Sequence, residues 1–429
     1  MSPDAAPAAL AAPYPRFLRD RVVQALADTP VVLLHGPRQC GKTTLARAVC
    51  EPLGYGYLSF DDDALRAAAL ADPLGFVADL PARMVLDEVQ RVPRIFTALK
   101  MAVDRDRAAG RFLLTGSANV LLLPRLADSL AGRIEPQRLH PLAQCELAGR
   151  DSGFLQALFD GAFGLERHGR LADELAERVA AGGFPAALAR QAPRRRDWYR
   201  AYVEALVQRD VTDMRRIGSL DTLPRLLAAA AAQTARLVNV ADLAGSFQVS
   251  RPTIRDYVTL LERVFLLEQL PPWHSNRLSR LVKTPKLHLC DTGLAAALLR
   301  VDAAALRRDR ALLGQLLETF VLQELRRMAS WQAEPIEFFH FRDKDGVEVD
   351  LVLERGADEV AAIEVKAAAT VTEADFRGLR KLQGAAGARF RCGVVLYDGE
   401  HALRFGPGLH AVPVRALWET KQATEGRAQ

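Results

Sequence analysis

The residues with the clearest chemistry lie near the start of the chain, in Gly36, Pro37, Arg38, Gln39, Cys40, Gly41, Lys42, Thr43 and Thr44. The apolar run Val31 to Leu34 and His35 leads into them and a helical pattern follows. GxxxxGKT therefore stands between a strand and a helix, the context that a phosphate-binding loop requires. Gly36 and Gly41 allow a tight loop in which backbone N–H groups converge on phosphate oxygens. The following helix adds the positive end of its dipole. Lys42 offers a point charge to β and γ phosphates, and the Thr43 hydroxyl is placed to ligate Mg²⁺. The nine residues together are the expected binding segment for ATP. Cys40 has two readings, a thiol made reactive by the helix N-terminus or a small residue filling the loop.

Two further segments fit the same chemistry. Arg83 to Leu86 is a short apolar strand that ends in Asp87 and Glu88. An acid at the carboxyl end of a neighbouring strand can hold the Mg²⁺ shell, and the next one can polarise an attacking water. Phe112 to Thr115 is another buried strand, followed by Gly116, Ser117, Ala118 and Asn119, where Ser117 suits sensing the γ-phosphate or orienting water. Arg133 is either an arginine acting on a neighbouring subunit's nucleotide or a structural surface residue.

A second acidic set lies near the other end. Val347 to Val352 alternates as a strand carrying Asp350, and Val360 to Lys366 forms a second one carrying Glu364. In an antiparallel pair Asp350 and Glu364 share a side, and Lys366 joins them by period two. Two carboxylates there can hold a second divalent metal, with Lys366 activating water and Glu318 of the preceding helix completing the site. The plainer reading is alternating surface charge, with Glu348 and Lys366 pairing across strands.

Strands and helices must position these groups. Up to His140 the pattern alternates β and α, with a helix over Tyr14 to Leu26, which implies a mostly parallel sheet covered on both faces. A helical, charged stretch follows, with Arg194, Arg195 and Arg196 as a solvated face that could also meet phosphates and a periodic run from Tyr199 to Val211. Leu223 to Leu270 offers three helical patterns. The third runs from Ser250 to Leu267, with Ser250 as cap and Arg251, Thr253 and Arg255 near its start. This resembles a winged helix, which can enter a DNA groove or serve only as a packing module. From Ala311 onward a helix, three strands, a helix and a strand make a second α/β unit.

The 429 residues suggest two or three domains, and a net charge of +5 permits a nucleic-acid partner without demanding one. Five scattered cysteines form no CxxC pair, which argues against a disulfide framework or zinc knuckle and suits a reducing cytosol. No stretch is apolar enough to span a bilayer, and the Ala- and Pro-rich start reads as a loose tail. A cytoplasmic location is expected.

At GPRQCGKTT, MVLDEVQRVP, LLTGSAN and LAGRIEPQRLHPL the chain resembles a known group, the archaeal-ATPase-like AAA-type ATPases (AAA_14) with a C-terminal DUF4143 domain. Further marks are Gly182 to Pro185, Gln208 to Val211, Asp291 to Gly293, Gly314 to Glu318, Gly346 to Asp350 and Ile363 to Lys366. Thr319 departs from the Asn common in the family. The resemblance implies ATP turnover, in a ring or another homo-oligomer. The order Glu, Asp, Glu-x-Lys also resembles the PD-(D/E)XK nuclease fold of archaeal Holliday-junction resolvases, a scaffold that can lose catalysis.

The expected fold is thus α/β: a P-loop (AAA-like) parallel sheet, a helical and winged-helix middle, and a restriction-endonuclease-like C-terminal α/β domain. The expected boundaries are a tail to residue 14, then 15–148, 149–220, 221–285 and 286–420. The leading expectation is an ATPase acting on DNA, with metal-dependent nuclease activity of the C-terminal domain left open. Its rival is an ATP-gated regulatory or assembly protein whose C-terminal domain is a silent partner-binding module.

Overall fold

The computed structural model describes residues 14–117, 132–208, 222–237, 244–245, 247, 249–275 and 284–421. The expected tail up to Pro13, Ala118 and Asn119, Leu130 and Ala131, and Arg209 to Val211 lie outside them.

The first unit is a five-stranded parallel sheet of β1 (Val31–His35), β2 (Gly56–Ser59), β3 (Met84–Asp87), β4 (Phe112–Gly116) and β5 (Ile134–Arg138). Their spatial order is β2-β3-β4-β1-β5. β1, β3 and β4 are buried throughout, as continuous apolar runs in a sheet covered on both faces should be. Alternation divides β1 between two cores. Val31 and Leu33 pack with the helix Ile95–Arg105, while Val32 and Leu34 pack with α1 (Leu18–Asp28) and α2 (Lys42–Cys50). All parallel strands point their carboxyl ends to one edge, so Gly36, Asp87 and Ser117 meet there.

Helices follow to α3 (Ala192–Leu206) and the helix Thr222–Ala232. A small antiparallel sheet comes next, in the order β6 (Arg236–Leu237), β8 (Lys286–Leu289), β7 (Leu267–Leu270). α4 spans Arg251–Arg263, and the Ser250 side chain accepts from the Thr253 N–H as its cap. The helix expected to reach Leu267 therefore stops four residues early. Phe265 takes a left-handed conformation (φ 59°) that turns the chain, and Leu267 starts a strand. A short apolar run such as Val264 to Leu267 carries no period that separates the two. Lys286–Leu289, expected at the start of the C-terminal unit, pairs instead with β6 and β7.

The C-terminal sheet has the order β13 (Leu403–Gly406), β14 (Leu409–Pro413), β12 (Phe390–Tyr397), β11 (Glu359–Lys366), β10 (Glu348–Arg355), β9 (Ile336–Arg342). β13 and β14 were not expected from the sequence. α5 (Arg310–Ala329) covers one face and α6 (Arg377–Ala386) the other. One apolar core runs without a break from Ala143 to Trp418, so the middle and C-terminal parts are packed as one body.

Candidate functional site

The phosphate loop is held open by backbone geometry. Gly36 (φ 151°) and Gly41 (φ 102°) both sit in conformations that favour glycine, and a Cβ on Gly36 would stand 2.1 Å from the Leu139 carbonyl oxygen. Lys42 folds back and donates to the carbonyls of Gly36 (3.1 Å) and Pro37 (2.9 Å). These neutral partners can be exchanged for phosphate oxygens. The loop opens onto a cleft of about 380 Å³ lined by Arg38, Gln39, Gly41, Lys42, Thr43, Thr44, Asp61, Glu88, Pro185 and Ala186.

The acidic pair is arranged beside it. Thr43 Oγ1 donates to Asp87 Oδ2 at 2.9 Å, Tyr57 donates to the same oxygen at 2.6 Å, and Thr115 bonds to Oδ1. Burial, then Asp87, pushes the Tyr57 phenol up to about 12, so it stays a donor. Glu88 sits in the left-handed region (φ 58°), a strain typical of functional positions. Its Oε2 accepts from Ser117 at 2.9 Å and from Gln90, whose amide also reaches Ser117 at 2.8 Å. Thr43 and Asp87 together fit a hydrated Mg²⁺, since a hydroxyl and a carboxylate face each other at the cleft beside the lysine.

Three residues at this site were given no role from the sequence. Gln90 lies inside MVLDEVQRVP without a chemistry of its own there, Tyr57 lacks a motif, and Arg16 precedes the first helix. Arg16 donates to the Cys40 carbonyl (2.7 Å), the His140 carbonyl (2.6 Å) and Glu146 Oε1 (3.0 Å), fixing the loop against the chain beyond β5. Tyr202 of α3 adds a bond to the Arg38 carbonyl. Cys40 itself is fully buried with Sγ against the Leu139 carbonyl, which favours the filling role over a reactive thiol. Arg133 is not part of its own chain's cleft. It precedes Ile134, which pairs with Val31 at the sheet end opposite the loop, and its Nε donates to Asp104 at 2.6 Å.

The second acidic set does converge. In the β10–β11 register Leu351 faces Ile363, which puts Asp350 across from Glu364. Lys366 Nζ lies 2.8 Å from Glu364 Oε1, so Lys366 does not pair with Glu348, whose partner is Arg342 at 2.9 Å. Glu318 arrives from α5. Burial, then the Asp350 charge, raises Glu318 to about 8 and Glu364 to about 7. One residue was missed: Lys286 of β8 places its ammonium 3.2 Å from Glu318 Oε2 and 3.3 Å from Asp350 Oδ1. Among the described residues no group of His, Cys, Asp and Glu side chains is arranged to hold a metal ion. The expected metal ligands Glu318, Asp350 and Glu364 thus meet around lysines.

Comparison with known proteins matches the chain to three families in succession. Residues 28–148 match an AAA domain, 172–305 a domain of unknown function (DUF8612), and 313–417 a domain of unknown function (DUF4143). Uncharacterized protein Rv2008c of Mycobacterium tuberculosis and Uncharacterized protein Mb2031c of Mycobacterium bovis are each 31% identical over 409 residues, covering 94% of this chain and 85% of theirs. The chain belongs to this family of AAA-type P-loop ATPases with a C-terminal DUF4143 domain. Among solved structures, the Walker-type ATPase paby2304 of Pyrococcus abyssi is 14% identical, with a TM-score of 0.39 over 65% of this chain and 94% of that one. The RuvB Holliday junction branch migration motor of Thermotoga maritima is 20% identical, with a TM-score of 0.28 over 59% and 89%.

Other family marks in this chain are structural. Asp291 is fully buried and accepts from Tyr199 (2.9 Å), the Gly183 N–H (2.7 Å), the Leu294 N–H (3.1 Å) and Arg327 (3.2 Å). Arg327 also donates to the Leu142 carbonyl and to Glu324, each at 2.7 Å. GGFP, DTG and α5 are thereby tied to the segment that leaves β5. Gly182 is required there, because a Cβ would stand 2.1 Å from Asp291 Oδ1. Glu268 makes a parallel tie, binding Arg138, Arg326 and Gln323. Thr319, the family departure, bonds to Thr234 (2.8 Å) and His288 (3.0 Å).

Proposed function

We propose that the protein binds ATP with Mg²⁺ and hydrolyses it at the Lys42 loop. One observation carries this reading: Lys42, Thr43 and Glu88 line one open cleft, with Asp87 bonded to Thr43 and with Ser117 and Gln90 bonded to Glu88 behind them. Lys42 leaves its two carbonyls for the β and γ phosphates, and the loop N–H groups and α2 bind the remaining charge. Mg²⁺, held through Thr43 and Asp87, would supply charge neutralisation between the phosphates. Glu88 orients a water and takes its proton, while Ser117 and Gln90 keep that carboxylate aimed. Arg133 stands just before the edge strand β5, away from its own cleft, and in this reading serves a neighbouring copy in a homo-oligomer. Nucleotide affinity and turnover of Lys42→Ala and Glu88→Gln test the proposal. Lost binding in the first and retained binding with lost turnover in the second are expected; unchanged turnover in both sinks it.

DNA contact is a second reading, favoured by Arg251 and Arg255, which are exposed on the first turns of α4 beside the three-stranded sheet. It is tested by DNA affinity as a function of salt, and no affinity at moderate salt removes it. The C-terminal domain performs no metal-dependent cleavage in this reading, because Lys286 and Lys366 take carboxylate oxygens that a metal would need. That domain is read as a scaffold that transmits or anchors, the ATP-gated alternative.

A further inference from the structure

The sequence expectation gives Glu318, Asp350 and Glu364 a divalent metal, and the residues around them do not fit one. We infer that Lys286 is the resident cation of this cluster and closes it to divalent metals. Its side chain is only 5% exposed and its ammonium lies between Glu318 Oε2 at 3.2 Å and Asp350 Oδ1 at 3.3 Å. A metal bridging those two oxygens would compete with the ammonium for both of them. The other oxygens are largely committed. Asp350 Oδ2 accepts from the Val365 N–H at 2.9 Å, and Glu364 Oε1 from Lys366 at 2.8 Å. Glu364 Oε2 is buried without a hydrogen-bond partner, and the Lys286 contact of Glu318 is made through Oε2, which leaves its Oε1 outside that pair. At most two oxygens from two carboxylates, next to two ammonium groups, are a poor seat for an ion that takes several close oxygen ligands at roughly 2.0–2.1 Å.

The position of Lys286 is set from outside the C-terminal sheet. β8 pairs on both sides, with β6 and β7, and its alternation places Lys286 and His288 on one face. His288 meets Thr319 and Lys286 meets its neighbour Glu318, so the strand is docked on α5 by two successive side chains. The carboxylates of the C-terminal unit therefore act as a socket that locks the small sheet onto α5 and β10. Substitution of the lysine by an uncharged residue leaves three carboxylates around a space that a divalent ion can enter.

The test uses the full chain without nucleotide and Mn²⁺ alone as probe, followed by electron paramagnetic resonance and thermal melting. The variants are wild type, Asp350→Asn, Lys286→Met and the double variant. Wild type and Asp350→Asn should bind equal amounts of Mn²⁺, any ion at the phosphate loop being common to both. Lys286→Met should gain one ion, bound at least tenfold more tightly than any Asp350-dependent binding in wild type, and should melt higher with Mn²⁺. The double variant should lose both effects. A wild type that binds one more ion than Asp350→Asn overturns the inference, as does a folded Lys286→Met that gains none. If Lys286→Met does not fold, wild type against Glu318→Gln makes the same comparison, and an ion lost in Glu318→Gln overturns it. None of these outcomes depends on ATP turnover.

Discussion

Lys42 and Lys286 are both buried lysines beside acidic residues, yet their partners differ in kind. Lys42 rests on two neutral carbonyls at the mouth of a cleft, and the nearby acids Asp87 and Glu88 are bonded by hydroxyl and amide groups. Lys286 rests on two carboxylates in the packed interior between two sheets. An ammonium on neutral oxygens gains charge pairing when phosphate arrives. One already paired with carboxylates must break buried ion pairs to admit anything, which is costly. Convergence of acids and lysine is therefore common to both regions, while availability for a ligand belongs to the first alone.

The largest expected effect breaks the first region. Glu88→Gln should lower ATP turnover by about 100-fold or more while nucleotide affinity, read by fluorescence titration, stays within a few-fold. Comparable turnover would remove Glu88 as the base. Next is the buried joint that holds the two regions in one body. Arg327→Met leaves Asp291 and Glu324 without their cation and should cost about 3–5 kcal/mol in urea unfolding. A loss near zero would mean that neither acid depends on it.

A smaller effect concerns how the loop is set. Arg16→Ala removes charged hydrogen bonds to the Cys40 and His140 carbonyls and should raise the KM for ATP about tenfold, with Arg16→Lys recovering part of it. A change in kcat alone would argue that Arg16 acts elsewhere. The smallest effect sharpens the second region. Glu318 and Glu364 have folded pKa values above the ordinary 4.5, to about 8 and about 7. The folded protein therefore holds more protons than the unfolded chain in that range. The stabilisation is complete below pH 4.5 and is lost as pH rises through 7 and 8. Glu318→Gln should flatten the decline in melting temperature between pH 5 and 8; an equal slope in both proteins would place the cause in other groups.

Much of the first region was legible because its signals are local. The phosphate loop needs adjacent residues, and a strand that ends in Asp87 and Glu88 declares itself by its apolar run. Gln90, Tyr57 and Arg16 were not legible, since each becomes functional only by what the fold places beside it. The acids Glu318, Asp350 and Glu364, grouped in the sequence by period two and a helix upstream, lie together in the structure. Lys286 escaped because its strand lies in another sheet, reached through a chain segment whose pairing no local pattern records. Phe265 shows the same limit on a smaller scale, where a left-handed turn ended a helix that hydrophobicity alone would extend.

By itself the sequence determined the parallel sheet, the phosphate loop and the two groups of acids, because periodicity and turn chemistry act over a few residues. Tertiary structure alone decided which lysine is free to meet a ligand and which is consumed as a partner. Burial and pairing set that difference, and both depend on residues far apart in the chain: Lys286 with Asp350, Arg16 with Cys40, Asp291 with Arg327.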